Sequence, residues 1–564
     1  MTGTAPAAAR LAPSLLAGFL AITAVACAGF LQSRPPSRTS AVAASHPLAT
    51  ESAARILTEG GSAIDAAIAA ALVLNVAEPW NSGLGGGGFA LVHDPEKGAV
   101  SFDFRERAPA GFDAAAFEKI LAKQIHASVD GPLAVAVPSL WPALIELHAR
   151  YGRLPLDRLV EDARRHAADG VALTGAYGER CERRKAALAA DSNARRIFLD
   201  SSGNCPASGW ILVQPELASV LGRLAPNPSL DEWNGIVEAP LAKRLAPAGN
   251  PVSGADLRAA VPVERPPVRG RFRNHEIVSM GPPSSGGIIV IGLLQTYEAA
   301  AGLFAEMPRD LLWIKASRLA FFDRAKLLGD PGFSDVPSQK LTSADYARRQ
   351  AARIKPGSRL LLDEASPSPA GGTDTTHLSV VDKSGLAVAM TLSINTSFGS
   401  GVVIPGTGIL LNNHMDDFYL RRPNAYGLVG NERNAPAPGK RPLSSMAPTL
   451  LYGPDGKLTA ALGSPGGSRI PSAVAWTIRG LVEKNLSGRE AICSPRLHHQ
   501  WQPDILFADR EAPAAELAAA GYTVQPAATG IGNVQMVLRT PSGWEAHSDC
   551  RGEGTGWSGT AGAP

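Results

Sequence analysis

An excess of charge of one sign is nearly missing from this sequence. Lys and Arg number 54 against 51 Asp and Glu, a formal net of +3 with His neutral. That excludes a protein steered onto nucleic acid or anionic lipid by its overall field, so any positive site must be local. Gly 58 and Pro 45 in 564 residues fall well short of the roughly 25–30% that marks low-complexity chains. At 45% hydrophobic and 19% charged, the chain is neither fibrous nor disordered and can bury a large core. At about 150 residues per domain, length alone suggests about three or four domains, though single large α/β cores also reach this size.

Long apolar runs are scarce too. Leu11 to Ala26, after the single positive side chain of Arg10, ends in small residues and has the layout of a secretory leader. It contains Pro13 and precedes the polar stretch Gln32 to Ser40, so it is short for a bilayer helix of about 20 residues. Retention as an uncleaved anchor is the alternative. Ala24-Val25-Ala26-Cys27 loosely matches a lipoprotein cleavage site with Cys27 as the lipid-bearing residue. The division expected is a leader over 1–28, a linker over 29–44 and a mature protein from 45 onward, periplasmic or secreted. Cys181, Cys205, Cys493 and Cys550 then remain. Cys181 and Cys205 could close a loop in an oxidising compartment, but spacing does not decide between pairs and isolated buried thiols.

Glu51 to Leu57 reads as a helix stopped by Gly60-Gly61. Ser62 and Asp65 form an N-cap pair for a second helix, whose stripe runs through Ile64, Ile68, Ala71, Leu72 and Asn75 and ends at Pro79. The glycine run Ser82 to Gly88 precedes the strand-like Phe89 to His93 and Val100 to Phe104. A nucleotide-binding loop follows a strand and opens a helix, so this order favours close backbone packing instead. Ser139 to about Leu328 reads as mostly helical, with segments at Leu140 to Tyr151, Leu156 to Asp169 and Leu311 to Leu328. Ala365 to Asp374 is small, Pro-bearing or charged, as expected of a flexible exposed segment. A hairpin follows: Thr375 to Asp382, a turn at Lys383-Ser384-Gly385, and Leu386 to Asn395.

A cut between Asp374 and Thr375 would create two catalytic groups at once. The Thr375 hydroxyl becomes a nucleophile, and its freed α-amine, with a reference pKa of about 7.7–8.0, becomes a base poised near working pH. Spacing alone leaves a plain strand start as the stronger reading.

From Ser45 onward the chain resembles the γ-glutamyltranspeptidase (glutathione hydrolase) family. The matching blocks include Ser45-His46-Pro47-Leu48-Ala49-Thr50, the Ser82 to Phe89 run, Asp103-Phe104-Arg105-Glu106, Pro282 to Gly287 and Asp323-Arg324-Ala325. In the second half they are Thr375-Thr376-His377, Asn395 to Gly401, Gly406 to Asp417, Lys440 to Met446, Gly463 to Ile470 and Pro495 to Trp501. The resemblance implies an α+β fold, the four-layer αββα sandwich of N-terminal-nucleophile hydrolases. It also implies autocleavage between Asp374 and Thr375, giving a heterodimer of a large chain, 45–374, and a small catalytic chain, 375–564.

The same resemblance assigns roles. Thr375 is the nucleophile, Ser393 orients its hydroxyl, and the Gly466 and Gly467 N–H groups form the oxyanion hole. Arg105, with Ser444 and Ser445, suits a donor α-carboxylate. Asp417, Asn395 and His414 suit its α-ammonium, and Tyr426 sits in a lid, a plain surface loop being the alternative. Taken singly, Arg105 or Asp417 reads as an ion-pair residue and Ser444-Ser445 as a turn; only their joint occurrence lifts them. Ser393, two residues before Asn395, is expected on the same strand face. His498-His499 offers no third ligand at zinc-like spacing, so packing is favoured, and neither metal nor cofactor is expected. Ser393 stands where the family usually has Thr, and His414 where it usually has Gln or Glu. The activity implied is γ-glutamyl transfer from glutathione and related small molecules to water or an amine acceptor. A glutaryl (cephalosporin-acylase-like) or polyglutamate amidase is the alternative, and a silent binding protein the third reading.

Overall fold

The computed structural model describes residues 1–4, 39–355, 374–509 and 512–559. The expected leader from residue 5, Cys27 included, and the stretch 365–373 lie outside the described residues. Two sheets stack at the centre. In the first, the strands run in the order Thr555–Gly559, Ser40–Ala44, Thr376–Val381, Ala387–Ser393, Gly87–Asp94, Gly98–Phe104 and Val263–Arg265. In the second, the order is Gly543–Ser548, Gln535–Thr540, Leu458–Gly463, Thr449–Tyr452, His275–Ser279 and Val268–Phe272. Ala41, Leu91, Val381, Ala389, Leu450 and Val537 fill the space between them, as expected where inward-facing residues alternate along each strand.

Helices cover both outer faces and complete the αββα sandwich. Over the first sheet lies Ala63–Ala77, every residue buried. Ser62 and Asp65 close its N-terminus as a full capping box, so the two orphan donors there are satisfied reciprocally. Over the second sheet lie Gly286–Leu303, Arg309–Leu327 and Ile470–Val482. The hairpin expected from Thr375 onward is present as Thr376–Val381 and Ala387–Ser393, paired antiparallel. Each central sheet takes strands from both sides of the Asp374–Thr375 bond, so the two expected chains share one core.

Two expectations are corrected. Ser40–Ala44, placed in the linker, is a buried strand between Thr376–Val381 and Thr555–Gly559; its small side chains give little pattern yet fit a crowded sheet centre. The mostly helical reading of 139–328 passes over the two-residue strands Val171–Ala172 and Ile211–Leu212 and, in the central sheets, Val263–Arg265, Val268–Phe272 and His275–Ser279. Those in the central sheets are short, interrupted by Pro266-Pro267 and by a turn at Arg273, φ +54°, and their β-branched residues were outweighed by the long helices around them. The glycine run answers to close packing: a Cβ on Gly85 would lie 2.1 Å from the Leu410 carbonyl oxygen, and one on Gly86 2.2 Å from that of Ser393. Cys181 pairs with Cys205 and Cys493 with Cys550.

Candidate active site

Thr375 stands just ahead of its strand and is 3% exposed. The hairpin partner brings Ser393 across, placing the two hydroxyl oxygens 3.0 Å apart. Thr375 has φ +96°, a backbone region that costs a β-branched L-residue about 1–3 kcal/mol and survives only when its surroundings impose it. The neighbouring Asp374 supplies that constraint. Its carbonyl accepts the Gly466 N–H at 3.1 Å, and its carboxylate accepts the Ser397 hydroxyl. Asp374 is therefore buried, not the exposed end of a flexible stretch: the run of small and charged residues before it carries no sign of this anchoring. The strain thus sits at Thr375 itself, and the carbonyl of the peptide bond before it rests on an N–H donor.

Ser393 and Asn395 do not share a strand face. The strand ends at Ser393, and Asn395 follows with φ +78°, which breaks the two-residue alternation. Asn395 reaches the site another way, through its N–H donated to Ser393 Oγ at 2.9 Å and its side-chain amide donated to the Asn413 carbonyl at 3.1 Å. Gly466 and Gly467 have φ +133° and +54°, which glycine adopts without penalty. Tyr426 packs directly on Gly467, where a Cβ would come within 2.4 Å of its ring. The Tyr426 hydroxyl donates to the Asn395 carbonyl at 2.7 Å, and burial pushes its pKa up.

At the far end, Arg105 is buried and its Nη2 lies 2.5 Å from Asp417 Oδ2. The Arg105 Nε also donates to the Pro442 carbonyl at 3.3 Å, and Asn424 donates to the other Asp417 oxygen at 2.8 Å. His414 is buried behind them, with Nδ1 2.9 Å from Glu106 Oε1. The distance is that of an ion pair, while the angle misses hydrogen-bond geometry, leaving both atoms without a proper hydrogen bond. Burial first, and Arg105 second, push the His414 pKa down, so its imidazole is neutral near pH 7 and can accept a hydrogen bond.

Of the residues singled out in the sequence, all but Asp374 and Gly466 line one cleft. It encloses only about 20 Å³, room for about one water. Two charged residues at or behind the cleft were given no role in the sequence reading. Arg324, within a matched block, lines the cleft and donates to the Val429 carbonyl at 3.0 Å; burial lowers its pKa to about 10 against the opposing pull of Asp417. Glu106 backs His414. A helical position gives no hint that Arg324 points to the site, whereas Glu106 follows Arg105 directly and was legible as its neighbour. His498 is a packing residue, bonded to Ser472 at 2.8 Å and Gln500 at 3.0 Å.

A family model described as gamma-glutamyltranspeptidase matches residues 49–558. The chain belongs to this family. The glutathione hydrolase proenzyme of Escherichia coli (strain K12) is 37% identical over 484 residues, 83% of this chain and 82% of that protein. The acylase ACY 1 proenzyme of Pseudomonas sp. (strain SE83) is 32% identical over 531 residues, covering 91% and 92%. Among solved structures, the cephalosporin acylase from Bacillus halodurans superposes with a TM-score of 0.79 at 25% identity, covering 93% of this chain and 98% of that one. The γ-glutamyltranspeptidase family and the N-terminal-nucleophile hydrolase fold together make the chain an enzyme of hydrolase and transferase type.

Proposed function

We propose that this chain is an exported, self-processing γ-glutamyl hydrolase and transferase. The observation that carries the reading is the arrangement around Thr375. Its hydroxyl is held by Ser393, the Asp374 carbonyl rests on the Gly466 N–H, and the adjoining cleft ends in Arg105 and Asp417.

In maturation, the Thr375 Oγ attacks the Asp374 carbonyl carbon, the Asp374–Thr375 amide becomes an ester, and water hydrolyses it. The products are the Asp374 carboxylate and a free Thr375 α-amine. In turnover that amine takes the proton from Thr375 Oγ as it attacks the γ-amide of the donor. The N–H groups of Gly466 and Gly467 receive the developing oxyanion. The proton passes to the departing amine, and a γ-glutamyl ester remains on Thr375 until water or an acceptor amine resolves it. Arg105, Ser444 and Ser445 hold the donor carboxylate, Asp417, Asn395 and His414 its ammonium, and Tyr426 closes over both. The two disulfides fit export to an oxidising compartment.

Glutaryl amide cleavage is the second reading, favoured by the acylases among the similar proteins. Asp417 weighs against it, because a glutaryl group brings no cation to replace Arg105 as its partner. The test is the denatured mass and N-terminal sequence of the purified protein, followed by turnover of γ-glutamyl and glutaryl anilides. A new start at Thr375 with γ-glutamyl preference is expected; an uncut chain, or a glutaryl preference, refutes the reading.

A further inference from the structure

Thr375 borders a second cavity, of about 420 Å³, which shares no other residue with the donor cleft. The nucleophile therefore stands in the partition between two chambers. An acyl group seated on the Arg105 side would leave its amine facing the other chamber, from which a new amine could reach Thr375.

The second chamber carries two guanidinium groups with different commitments. Arg551 is fully engaged, with Asp509 at 2.7 Å and Asp549 at 2.8 Å. Arg180 is not. Its one hydrogen bond runs to the Ala176 carbonyl of its own helix at 3.0 Å, and its guanidinium carbon lies 5.9 Å from the centroid of the Trp80 ring. Among the described residues it has no carboxylate at ion-pair distance, and its Nε is buried without a partner. The residue after it, Cys181, is tied to Cys205, so the helix presenting Arg180 is fastened in place. Glu78 lines the same chamber but is already engaged, accepting from Asn81 at 3.2 Å and Thr376 at 3.3 Å. Glu179 and Glu553, both exposed, add negative charge at the chamber wall.

We propose that Arg180 recognises the free carboxylate of the amine half of the reaction, the leaving amino acid or dipeptide of the donor and, equally, the incoming acceptor. The inference rests on the γ-glutamyl reading above and specifies its second subsite. A planar guanidinium whose protein contacts are one backbone carbonyl, the Trp80 ring and the field of the Glu78 carboxylate, with no carboxylate at ion-pair distance among the described residues, matches a carboxylate in a bidentate fork. Glu179 and Glu553 favour an amine whose own positive charge offsets its carboxylate, hence a zwitterionic amino acid or peptide over a simple anion. No bond is made or broken at Arg180. It acts as a specificity residue by holding the far end of the amine while the nitrogen sits at Thr375.

The test compares two donors that differ at one group: a γ-glutamyl dipeptide with a free terminal carboxylate and the same compound as its terminal amide. The readout is the ratio of their kcat/KM values in the wild type, Arg180→Met and Arg180→Lys. Because both donors are turned over by the same preparation, any general loss of fold cancels in the ratio. The wild type should prefer the carboxylate by about tenfold or more, expressed in KM. Arg180→Met should bring the ratio close to one, and Arg180→Lys should recover part of it. A wild type indifferent to the carboxylate, or a ratio unchanged in Arg180→Met, overturns the proposal. A wild type that turns over glutaryl anilide but no γ-glutamyl compound would instead overturn the donor reading, and the two failures are separable.

Discussion

Arg105 Nη2 sits 2.5 Å from Asp417 Oδ2, both at the closed end of the cleft that begins at Thr375. The two charges that would bind a donor's carboxylate and ammonium neutralise each other. A zwitterion can insert between them with no buried charge left unpaired at the end, because each partner exchanges one counter-charge for another. A glutaryl group would take Arg105 and strand Asp417, a costly outcome for a half-buried carboxylate. Asp417→Asn should therefore shift the ratio of γ-glutamyl to glutaryl turnover toward glutaryl by about tenfold or more in kcat/KM. An unchanged ratio would remove Asp417 from donor selection.

Thr375→Ala deletes the hydroxyl that, in the proposed mechanism, would attack both Asp374 and the donor. It should leave an uncut chain with no γ-glutamyl turnover, while Thr375→Ser, which keeps the hydroxyl and lowers the cost of φ +96°, should still cut. Denaturing gels and intact mass read this directly. A Thr375→Ala protein that separates into two chains would mean the scission is not the work of this residue.

How much of this was legible beforehand follows from what each feature depends on. The capped helix Ala63–Ala77 and the hairpin Thr376–Ser393 are local, written in caps, alternation and a turn, and they stand where expected. Val263–Arg265 pairs with Ser101–Asp103 and His275–Ser279 with Thr449–Tyr452, so both depend on partners far along the chain, as does Ser40–Ala44, whose sheet neighbours lie near residues 380 and 557. Val268–Phe272 is the local hairpin partner of His275–Ser279. The site residues were legible through their joint resemblance to one family, not through spacing. Asn395 shows the difference: alternation put it on a face with Ser393, whereas a left-handed residue past the strand end delivers it by a backbone bond. The anchoring of Asp374 joins it to Ser397, 23 residues on, and to Gly466, in a segment of the chain much farther away, and left no mark in the composition.

Tyr426 closes the cleft with one hydrogen bond, at 2.7 Å to the Asn395 carbonyl, and with its ring against Gly467. Tyr426→Phe keeps the ring and loses about 1 kcal/mol of hydrogen bonding. Donor KM should rise about fivefold with kcat little changed. A fall in kcat with KM constant would place Tyr426 in the chemical step instead of the closure.

His414 raises the question of pH, since a protonated imidazole beside Arg105 would repel the donor ammonium. Burial and Arg105 hold its pKa below the ordinary 6.5. Donor KM in the wild type should thus run level through pH 6.5 and parallel that of His414→Gln, which cannot titrate. A break in the wild-type KM near 6.5 that vanishes in His414→Gln would show the imidazole charging at its usual pH.

Acid stability has its own signature away from the donor contacts. His498 is fully buried, and burial lowers its pKa to about 3. In the unfolded chain it takes up a proton near pH 6.5; in the folded protein it does not. The unfolded state therefore binds more protons between those values, so the contribution is complete above pH 6.5 and is lost as pH falls toward 3. Moving from pH 7.5 to 5 should cost about 2 kcal/mol through this one group. His377, lowered to about 3, acts in the same direction, while Asp416 and Asp323, raised by burial to about 6, act in the opposite one. The wild-type slope alone mixes them, so the informative quantity is a difference. His498→Asn, less stable at pH 7.5 for want of its bonds to Ser472 and Gln500, should lose about 2 kcal/mol less than the wild type on acidification to pH 5 in urea unfolding. Equal losses in the two proteins would mean that His498 takes up its proton without unfolding.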